Sequence, residues 1–527
     1  MVGFSNFDSL ISLCGAGPRM GAKGFASNLD GGSAPYTAED LAKAAGAVKL
    51  SGDKSAQIKM LMADSRRVAP GTAFFAVRGA NCDGNNFVEE AAHRGAVAIV
   101  SESPCPDKYF PAAWIQVGDI HDAMCAAASS FYGDPSESMK TFAVTGTNGK
   151  TSVSWMLQKI LNDNLGKCGL IGTIHYDLGG RCLPAGRTTP ETLELHAMLS
   201  QMRFAGCKAV AMEISSHAID QKRAKGMRID CAAFTNLTQD HLDYHKSMES
   251  YFETKASLFT GALGRPPKCA ALNFDDPYGR KIAARLAPET RIISFGIDSA
   301  DADIRASNLK LEPQYSEFDV ECDGASARVK LRMTGRYNVM NALAALAMAH
   351  SQGIGMEEAI ASLADFRGVP GRMQKVAGPK NFDIFVDYAH TDDALKNGLL
   401  MLRGVAKGRL LVVFGCGGKR DRSKRPKMTA AVQKYADIAW ATSDNPRGES
   451  LSQIFDDMKK GVVDDSRIAF VEDRRRAINL AIDAAGDGDC ILIAGKGHET
   501  FQELGDTIIP FDDKRVAEEL LSLKGLI

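Results

Sequence analysis

Residues 145–152, Thr-Gly-Thr-Asn-Gly-Lys-Thr-Ser, have the composition and spacing of a phosphate-binding loop. They follow the strand-like run TFAVTG and lead into the helical pattern TSVSWMLQKILNDN. Backbone N–H groups can turn around a polyphosphate at such a helix start, Lys150 can neutralise its charge, and the Thr151 hydroxyl can reach a magnesium ion. Val144 stands where the standard spacing has its first glycine, so the loop is a shorter variant. The pattern predicts binding of ATP or GTP by Gly146, Thr147, Asn148, Gly149, Lys150, Thr151 and Ser152.

An acid and an imidazole follow two further strand-like runs. Glu213 lies at the carboxyl end of KAVAMEIS, and Asp240, His241 and His245 come just after DCAAFTNL. Because the carboxyl ends of neighbouring parallel strands meet at one edge of a sheet, Glu213 and His241 can converge on a metal ion held by Thr151. We interpret His245 as a packed or surface imidazole.

Hydrophobic periodicity divides the chain into three folded units after a leader. Residues 1–35 are rich in Gly, Ser and Asn and are predicted to be a flexible extension. Residues 36–137 form a compact α/β unit, and residues 138–366 alternate strands and helices as a mostly parallel sheet with an added antiparallel hairpin at SEFDVECDGASARVKLRM. Residues 367–527 repeat strand and helix as a second parallel sheet, after a hinge at GVPGR.

The overall composition excludes several classes of protein. The chain has 527 residues, with 63 Lys and Arg against 64 Asp and Glu, so its net charge of -1 provides no field for binding nucleic acid. Its 12 cysteines include no C-x-x-C pair and are predicted to be free thiols in a reducing compartment. No segment approaches the roughly 18 apolar residues of a membrane span. These features predict a cytoplasmic protein without membrane insertion.

Several longer motifs resemble a known family. TGTNGKT, MEISSHAIDQKR, FTNLTQDHLDYH, FETKASLF and GRYNVMNALAA, in this order, closely resemble the Mur ligases, which use ATP to add amino acids to the peptidoglycan precursor. ADSRRVAPGTAFFAVRGANCDG in the first unit, and FGCGGKRDRSKRPKM, ATSDNPRGE and AGKGHETFQ in the third, resemble the members that make the tripeptide. The resemblance implies an α/β fold of three domains: a small N-terminal UDP-binding domain, a central P-loop domain with a parallel sheet, and a C-terminal Rossmann-like domain for the amino acid.

The resemblance also implies a reaction. ATP phosphorylates the γ-carboxylate of D-Glu in UDP-MurNAc-L-Ala-D-Glu, and the amine of an amino acid displaces phosphate from the acyl phosphate. Phosphorylation is needed because oxide is a poor leaving group. By the same resemblance Lys255 is a carbamylated lysine, and Mg²⁺ is bound by Thr151, Glu213, His241 and Lys255. Asn341, Arg372 and Asp387 would contact ATP, with His390 a weaker candidate. Lys150, Glu213, His241 and Lys255 would be the catalytic residues.

The remaining implied sites bind the two other substrates. The nucleotide-sugar peptide would be held by Ser65, Thr188, Thr189, Ser215, Gln221 and Arg223. For these hydroxyl residues a turn or a helix cap is the alternative interpretation. The amino acid would be held by Arg420, Asp444, Asn445, Pro446, Arg447, Gly495 and Glu499.

The sequence Asp-Asn-Pro-Arg at residues 444–447 indicates which amino acid is added. It resembles the members specific for meso-diaminopimelate, whose far end has a carboxylate that an Arg can bind and an ammonium that an acid can bind. Two residues depart from the family pattern: Lys419 replaces an Asp, and Asp392 replaces a Pro. The expected protein is a monomeric meso-diaminopimelate ligase. The alternatives are L-lysine or another amino acid, and a P-loop switch that uses ATP mechanically. A folate-polyglutamate ligase is disfavoured because the first unit and DNPR have no role there.

Overall fold

The computed structural model describes residues 35–79, 82–378 and 381–527. The predicted extension therefore lies outside the described residues, apart from Pro35. Within the described ranges, no helix is both long and apolar enough to cross a membrane. Each large sheet lies wholly within one of the three predicted units. The exact domain limits stay a prediction.

The first unit is a five-stranded sheet in the order β1-β5-β4-β3-β2, parallel except for the edge strand β1. Its strands are β1 Lys49–Ser51, β2 Met60–Met62, β3 Thr72–Phe75, β4 Ala96–Ser101 and β5 Ala113–Gln116. Its helices are α1 Ala38–Ala44, α2 Val88–His93 and α3 Ile120–Tyr132. Apolar side chains are buried on both faces of the sheet, which explains the short, nearly continuous apolar strands.

The second unit is an eleven-stranded sheet in the order β16-β15-β14-β13-β12-β11-β6-β10-β7-β8-β9. The strands from β14 to β7 in this order are parallel, and antiparallel strands extend both edges. The predicted hairpin is present as β15 and β16, and it pairs with β14. The strands are β6 Lys140–Thr145, β7 Cys168–Ile171, β8 His175–Asp177, β9 Cys182–Pro184, β10 Ala209–Glu213, β11 Cys231–Phe234, β12 Cys269–Asn273, β13 Arg291–Gly296, β14 Ile304–Glu312, β15 Tyr315–Cys322 and β16 Ala325–Leu331.

Helices cover both faces of this central sheet. They are α4 Lys150–Asn164, α5 Thr192–Phe204, α6 Ser216–Asp220, α7 Leu242–His245, α8 Met248–Ser257, α9 Pro277–Ala283, α10 Arg336–His350 and α11 Met356–Ala364. The alanine-rich α10 is largely buried from Val339 to Ala349 and packs against α4, the helix that follows the phosphate loop. A helix that is apolar on nearly all sides belongs in a core. By packing against α4, α10 fixes the position of the phosphate loop that precedes α4.

The third unit is a six-stranded sheet in the order β17-β18-β22-β19-β20-β21, parallel except for β17, with a separate hairpin of β23 and β24. Its strands are β17 Gln374–Lys375, β18 Asp383–Asp387, β19 Leu410–Cys416, β20 Ile438–Ser443, β21 Ile468–Val471, β22 Cys490–Ala494, β23 Phe501–Leu504 and β24 Thr507–Pro510. Its helices are α12 Asp392–Val405, α13 Lys424–Tyr435, α14 Leu451–Lys459, α15 Arg474–Ala484 and α16 Asp513–Leu523. Apolar clusters cover both faces of the sheet.

The segment between the second and third units is built around a close backbone contact. Gly371 has a φ of 64°, and a Cβ at this position would lie 2.1 Å from the backbone nitrogen of His498. Only glycine fits such an approach. The connection therefore places the start of the third unit directly against its own AGKGHE loop.

Candidate active site

The phosphate loop lies between β6 and α4, as predicted. Gly146 and Gly149 have φ values of 147° and 89°, in the region that favours glycine. A Cβ on Gly146 would lie 1.9 Å from Thr235 Oγ1, and one on Gly149 would lie 2.4 Å from Asn341 Oδ1. Both glycines are thus required by conformation and by space, and Asn341 packs against the loop.

Two lysines meet at one carbonyl oxygen of this loop. Lys150 Nζ donates to Gly146 O at 2.9 Å and to Thr147 O at 2.8 Å, and Lys255 Nζ donates to Gly146 O at 2.9 Å. Lys255 is only 1% exposed, and burial, reinforced by the charge of Lys150, lowers its pKa well below the usual value. Burial also lowers the pKa of Lys150, while the Glu213 carboxylate opposes that shift. The two amines therefore lie against the same loop, and burial disfavours the charged form of each.

Glu213, at the end of β10, is fully buried behind the loop. Its Oε2 accepts hydrogen bonds from the hydroxyls of Thr151 at 3.0 Å and Thr173 at 2.9 Å, and its Oε1 accepts from the Thr173 backbone at 2.8 Å. These neighbouring oxygens are the donor type that Mg²⁺ prefers. Thr173 was not predicted. Its position just beyond the carboxyl end of β7, at the same edge of the sheet, is the signal that could have identified it.

His241 directly precedes α7 and has a left-handed backbone, with a φ of 53°. Its backbone N–H donates to Asp240 Oδ1 at 2.8 Å, and its Nε2 lies 3.5 Å from Asp240 Oδ2. Burial lowers the pKa of His241 to about 4, although Asp240 opposes the shift, so the imidazole is neutral at pH 7. His245 is a packed imidazole, as interpreted from the sequence: it is buried, and its Nε2 lies 2.9 Å from Ser216 Oγ.

A residue of the third unit contacts the start of α4, the helix that follows the phosphate loop. Arg372 Nη2 donates to Thr151 Oγ1 at 3.3 Å, and its guanidinium lies 4.7 Å from the ring centre of Tyr388. Asp387 Oδ2 accepts from the Met373 backbone at 2.6 Å, and burial raises the pKa of this carboxyl. Asp387 thereby shapes the backbone next to Arg372.

A second bridge joins the same two units. Lys424 Nζ, at the start of α13, lies 3.4 Å from Asp240 Oδ1. His390, the weaker candidate, has its Nδ1 2.8 Å from Tyr388 O, and burial lowers its pKa. The structure thus brings α13 and the loop after β18 to the residues that follow β11.

Most residues predicted to bind the nucleotide-sugar peptide form one hydrogen-bonded group next to Glu213. Thr189 Oγ1 donates to Glu213 O at 2.8 Å and accepts from Ser215 N at 3.1 Å, and Arg223 Nη1 donates to Thr189 O at 2.8 Å. Gln221 Oε1 accepts from Arg223 Nε at 3.1 Å.

The other two of these residues are Thr188, which lies nearby, and Ser65, which lies in the first unit. The Thr188 hydroxyl lies 3.1 Å from that of Thr173, next to Glu213. Ser215 Oγ caps α6, so the helix-cap interpretation also applies to it. Ser65 is buried in a short 3-10 helix of the first unit, where the adjacent Arg67 reaches Glu194 of the second at 3.0 Å.

The predicted amino-acid residues form a polar cluster in the loops at the carboxyl ends of β19, β20 and β22. A Cβ on Gly417 would lie 3.0 Å from Arg447 Nη1 and 3.7 Å from Arg420 Cγ, so the Arg447 guanidinium and the aliphatic stem of Arg420 both lie against this glycine. Similarly, a Cβ on Gly495 would lie 2.5 Å from Asp444 Oδ2. Pro446 packs against the backbone of Gly418. Lys419, the departure beside Arg420, has a left-handed backbone, and its N–H donates to Glu449 at 3.0 Å.

Two residues of this cluster were not predicted from the sequence. Lys496 is fully buried, and its Nζ donates to Asn445 Oδ1 at 3.1 Å and to Glu499 Oε2 at 3.0 Å. Glu503, on β23, forms a short ion pair with Arg447 Nε, and its backbone donates to Asn445 Oδ1 at 3.0 Å. Alternation along β23 could have indicated Glu503, but not its partner.

Comparison with known proteins gives consistent matches along the chain. Three family models match in order: "Mur ligase family, catalytic domain" at residues 57–132, "Mur ligase middle domain" at 144–349, and "Mur ligase, glutamate ligase domain" at 371–497. A relative from Geobacillus kaustophilus (strain HTA426), named UDP-N-acetylmuramoyl-L-alanyl-D-glutamate--2,6-diaminopimelate ligase, is 44% identical over 474 residues, covering 89% of this chain and 96% of the relative. A relative of the same name from Aquifex aeolicus (strain VF5) is 41% identical, covering 89% and 95%.

A solved structure of a ligase with that name is 30% identical and has a TM-score of 0.66, covering 93% of this chain and all of that one. A ligase from Thermotoga maritima solved in complex with ADP, 19% identical with a TM-score of 0.60, has the same fold. The matches cover all three units. The chain belongs to the Mur ligase family.

Proposed function

We propose that this protein joins meso-diaminopimelate to the γ-carboxylate of D-Glu in UDP-MurNAc-L-Ala-D-Glu, with ATP as the source of energy. The observation that supports this most directly is that the Arg447 guanidinium and the Arg420 stem lie against Gly417, in the same group of loops as the acids Asp444 and Glu499. Such a cluster matches an amino acid whose far end has both a carboxylate and an ammonium. The names of the relatives point to the same substrate.

In this proposal the phosphate loop, Lys150 and Arg372 hold the triphosphate. A γ-carboxylate oxygen of D-Glu attacks the γ-phosphorus, and ADP leaves. The amine of meso-diaminopimelate then attacks the acyl carbon, phosphate leaves, and the nitrogen loses a proton as the amide forms. These side chains contribute positioning and charge neutralisation, because the chemistry is otherwise that of the substrates.

Mg²⁺ fits the group of oxygens around Glu213, where it would neutralise charge on the phosphates. Thr151, Glu213 and His241 would hold it, together with Lys255 once that amine is carbamylated. The position of Lys255 supports this modification, because the amine is buried next to Lys150 and burial disfavours its charged form. A carbamate forms from a neutral amine and would turn this lysine into an oxygen ligand.

The other substrate would lie across the first two units, with Ser65 towards the uridine and the group formed by Thr188, Thr189, Ser215, Gln221 and Arg223 towards the diphosphate, sugar and peptide. We further propose that the protein acts as a monomer in the cytoplasm. Sedimentation of the purified chain, and fractionation of cells that express it, test these two statements.

The function is tested by mixing the protein with ATP, Mg²⁺ and UDP-MurNAc-L-Ala-D-Glu and one amino acid at a time. We expect phosphate release and a product of the tripeptide mass with meso-diaminopimelate, and neither with the Lys150→Ala variant. Turnover with L-lysine in place of meso-diaminopimelate would overturn the specificity. Hydrolysis of ATP independent of any amino acid would instead favour a nucleotide-driven switch.

A further inference from the structure

Three residues with different metal-binding side chains meet at the outer end of the central sheet. Cys322 ends β15, Asp323 begins the turn to β16, and His350 ends α10. One ligand atom from each, Sγ, a carboxylate oxygen and a ring nitrogen, lies within 4.8 Å of the other two. None of the functions proposed above involves these three residues. The proposed ATP site lies elsewhere, at the loop before α4.

The local backbone fixes this arrangement. Asp323 and Gly324 have φ values of 51° and 77°, so the chain makes a tight two-residue turn between the paired residues Cys322 and Ala325. Cys322 is largely buried at the edge of the core cluster of this unit, whereas Asp323 is exposed. His350 Nε2 lies 3.4 Å from Asp323 Oδ2, which brings the end of the helix to the turn.

The surroundings favour a cation. A cavity of about 400 Å³ opens beside the turn, and its lining includes Asp303, Glu321, Cys322 and Asp323 together with Arg305, which pairs with Glu321 at 2.6 Å. The Asp323 carboxylate lies within 4.8 Å of the Cys322 sulfur and Asp303 lines the same cavity, so their negative charge attracts a positive ion. The carbonyl end of α10 adds to this potential.

We propose that Cys322, Asp323 and His350 bind a transition-metal cation of the Zn²⁺ type. Thiolate, imidazole and carboxylate together are a ligand set for Zn²⁺ or Co²⁺ rather than for Mg²⁺, which prefers oxygen alone. Three protein ligands leave a fourth position for water. On binding, the thiol releases its proton to solvent and the thiolate sulfur bonds the metal. A modest closure of the exposed Asp323 side chain completes the geometry.

Co²⁺ is the probe for the test, because a cobalt-thiolate bond gives a charge-transfer band in the near ultraviolet that oxygen-bound Co²⁺ lacks. The full-length protein, freed of metal with a chelator, is titrated with Co²⁺ in excess Mg²⁺. We expect one equivalent to produce the band, Zn²⁺ to displace it, and Zn²⁺ to raise the melting temperature. Cys322→Ser should abolish the band, whereas Cys182→Ser, which removes an exposed thiol on β9, should retain it.

His350→Gln provides a second variant that leaves the core thiol in place. It should weaken Co²⁺ binding by roughly tenfold or more. The proposal is overturned if the wild-type protein shows no band at saturating Co²⁺, if the band survives in Cys322→Ser, or if His350→Gln binds as tightly as the wild type. None of these measurements requires ligase activity, so they are independent of the proposed function.

Discussion

Arg372 and Thr151 are 221 residues apart in sequence, yet the Arg372 guanidinium donates a hydrogen bond to the Thr151 hydroxyl at 3.3 Å. The contact joins the first segment of the third unit to the start of the helix that follows the phosphate loop. The ring of Tyr388 supports the other side of the guanidinium. The nucleotide site is therefore completed only when the two units are together.

Replacing Arg372 should impair the reaction more than nucleotide binding to the loop. We expect Arg372→Ala to lower kcat by about a hundredfold, since a charge positioned for phosphate transfer is lost. Arg367→Ala, an exposed arginine on the same connecting segment, is the matched control and should change kcat little. Steady-state phosphate release checks both. Equal effects of the two substitutions would contradict a specific role for Arg372.

Gly149→Ala should abolish tight nucleotide binding. The added Cβ would lie 2.4 Å from Asn341 Oδ1, and the alanine backbone would have to adopt a φ of 89°. Gly353→Ala is the control that introduces backbone strain without a steric contact. Gly353 has a φ of 79°, and, among the described residues, a Cβ added there would meet nothing within 4 Å. Calorimetric titration with ADP should show a loss of at least about tenfold for Gly149→Ala only. Normal binding by that variant would show that the loop can shift at no cost.

Lys255→Ala should be inactive and partly restored by short carboxylates such as acetate or formate, which can occupy the place of the carbamate. Lys255→Arg introduces a positive charge and cannot be carbamylated, so it should stay inactive. Activity is measured with and without each carboxylate. Full activity of Lys255→Ala without any addition would remove Lys255 from the site.

Glu503→Gln should raise KM for meso-diaminopimelate by roughly tenfold and leave KM for ATP unchanged. The carboxylate holds Arg447 by its Nε, which orients the guanidinium towards the polar cluster, and the neutral amide holds it less firmly. Glu519→Gln, in an exposed pair with Arg475, is the control, because such surface pairs contribute little. An unchanged KM for the amino acid would mean that Arg447 needs no such support.

His196 should make the fold sensitive to acid. It is fully buried on α5, which packs against α3 of the first unit, and within the described part of the chain neither ring nitrogen has a hydrogen-bond partner. Burial lowers the pKa of His196 to about 4, against an ordinary value near 6.5. As the pH falls below about 6.5, His196 of the unfolded chain takes up a proton before His196 of the folded chain does. The free energy of unfolding therefore decreases from about pH 6.5 down to about pH 4.

The loss from this one residue amounts to about 3 kcal/mol at most. His196→Leu removes the titrating group, so its free energy of unfolding should fall less between pH 7.5 and pH 5 than that of the wild type. Urea unfolding at the two pH values measures the difference. A parallel loss in both proteins would assign the acid sensitivity to other groups.

Much of the site could be predicted because it is local in sequence. A buried strand, a glycine turn and Lys150 at a helix start lie within a dozen residues, and Glu213 ends a strand that is recognisable by its apolar run. His245 could be interpreted as packed because a lone histidine is more often a packed or surface side chain than a ligand. The positions of Thr173 beyond β7 and of Glu503 on β23 could have indicated these two residues, but the partners of Thr173, Lys496 and Glu503 could not be assigned. Threonine, lysine and glutamate are common on any surface, and nothing near them in the chain marks their partners.

The sequence by itself determined the three units, the phosphate loop and the family, because these depend on periodicity and on residues close together in the chain. Only the tertiary structure decided that β10 lies between β6 and β7, which brings Thr173 and Thr151 to the same carboxylate, and that Arg447 meets both Gly417 and Glu503. Strand order and the approach of loops depend on packing between distant segments. That packing is the sum of many weak contacts, and no single stretch of sequence contains it.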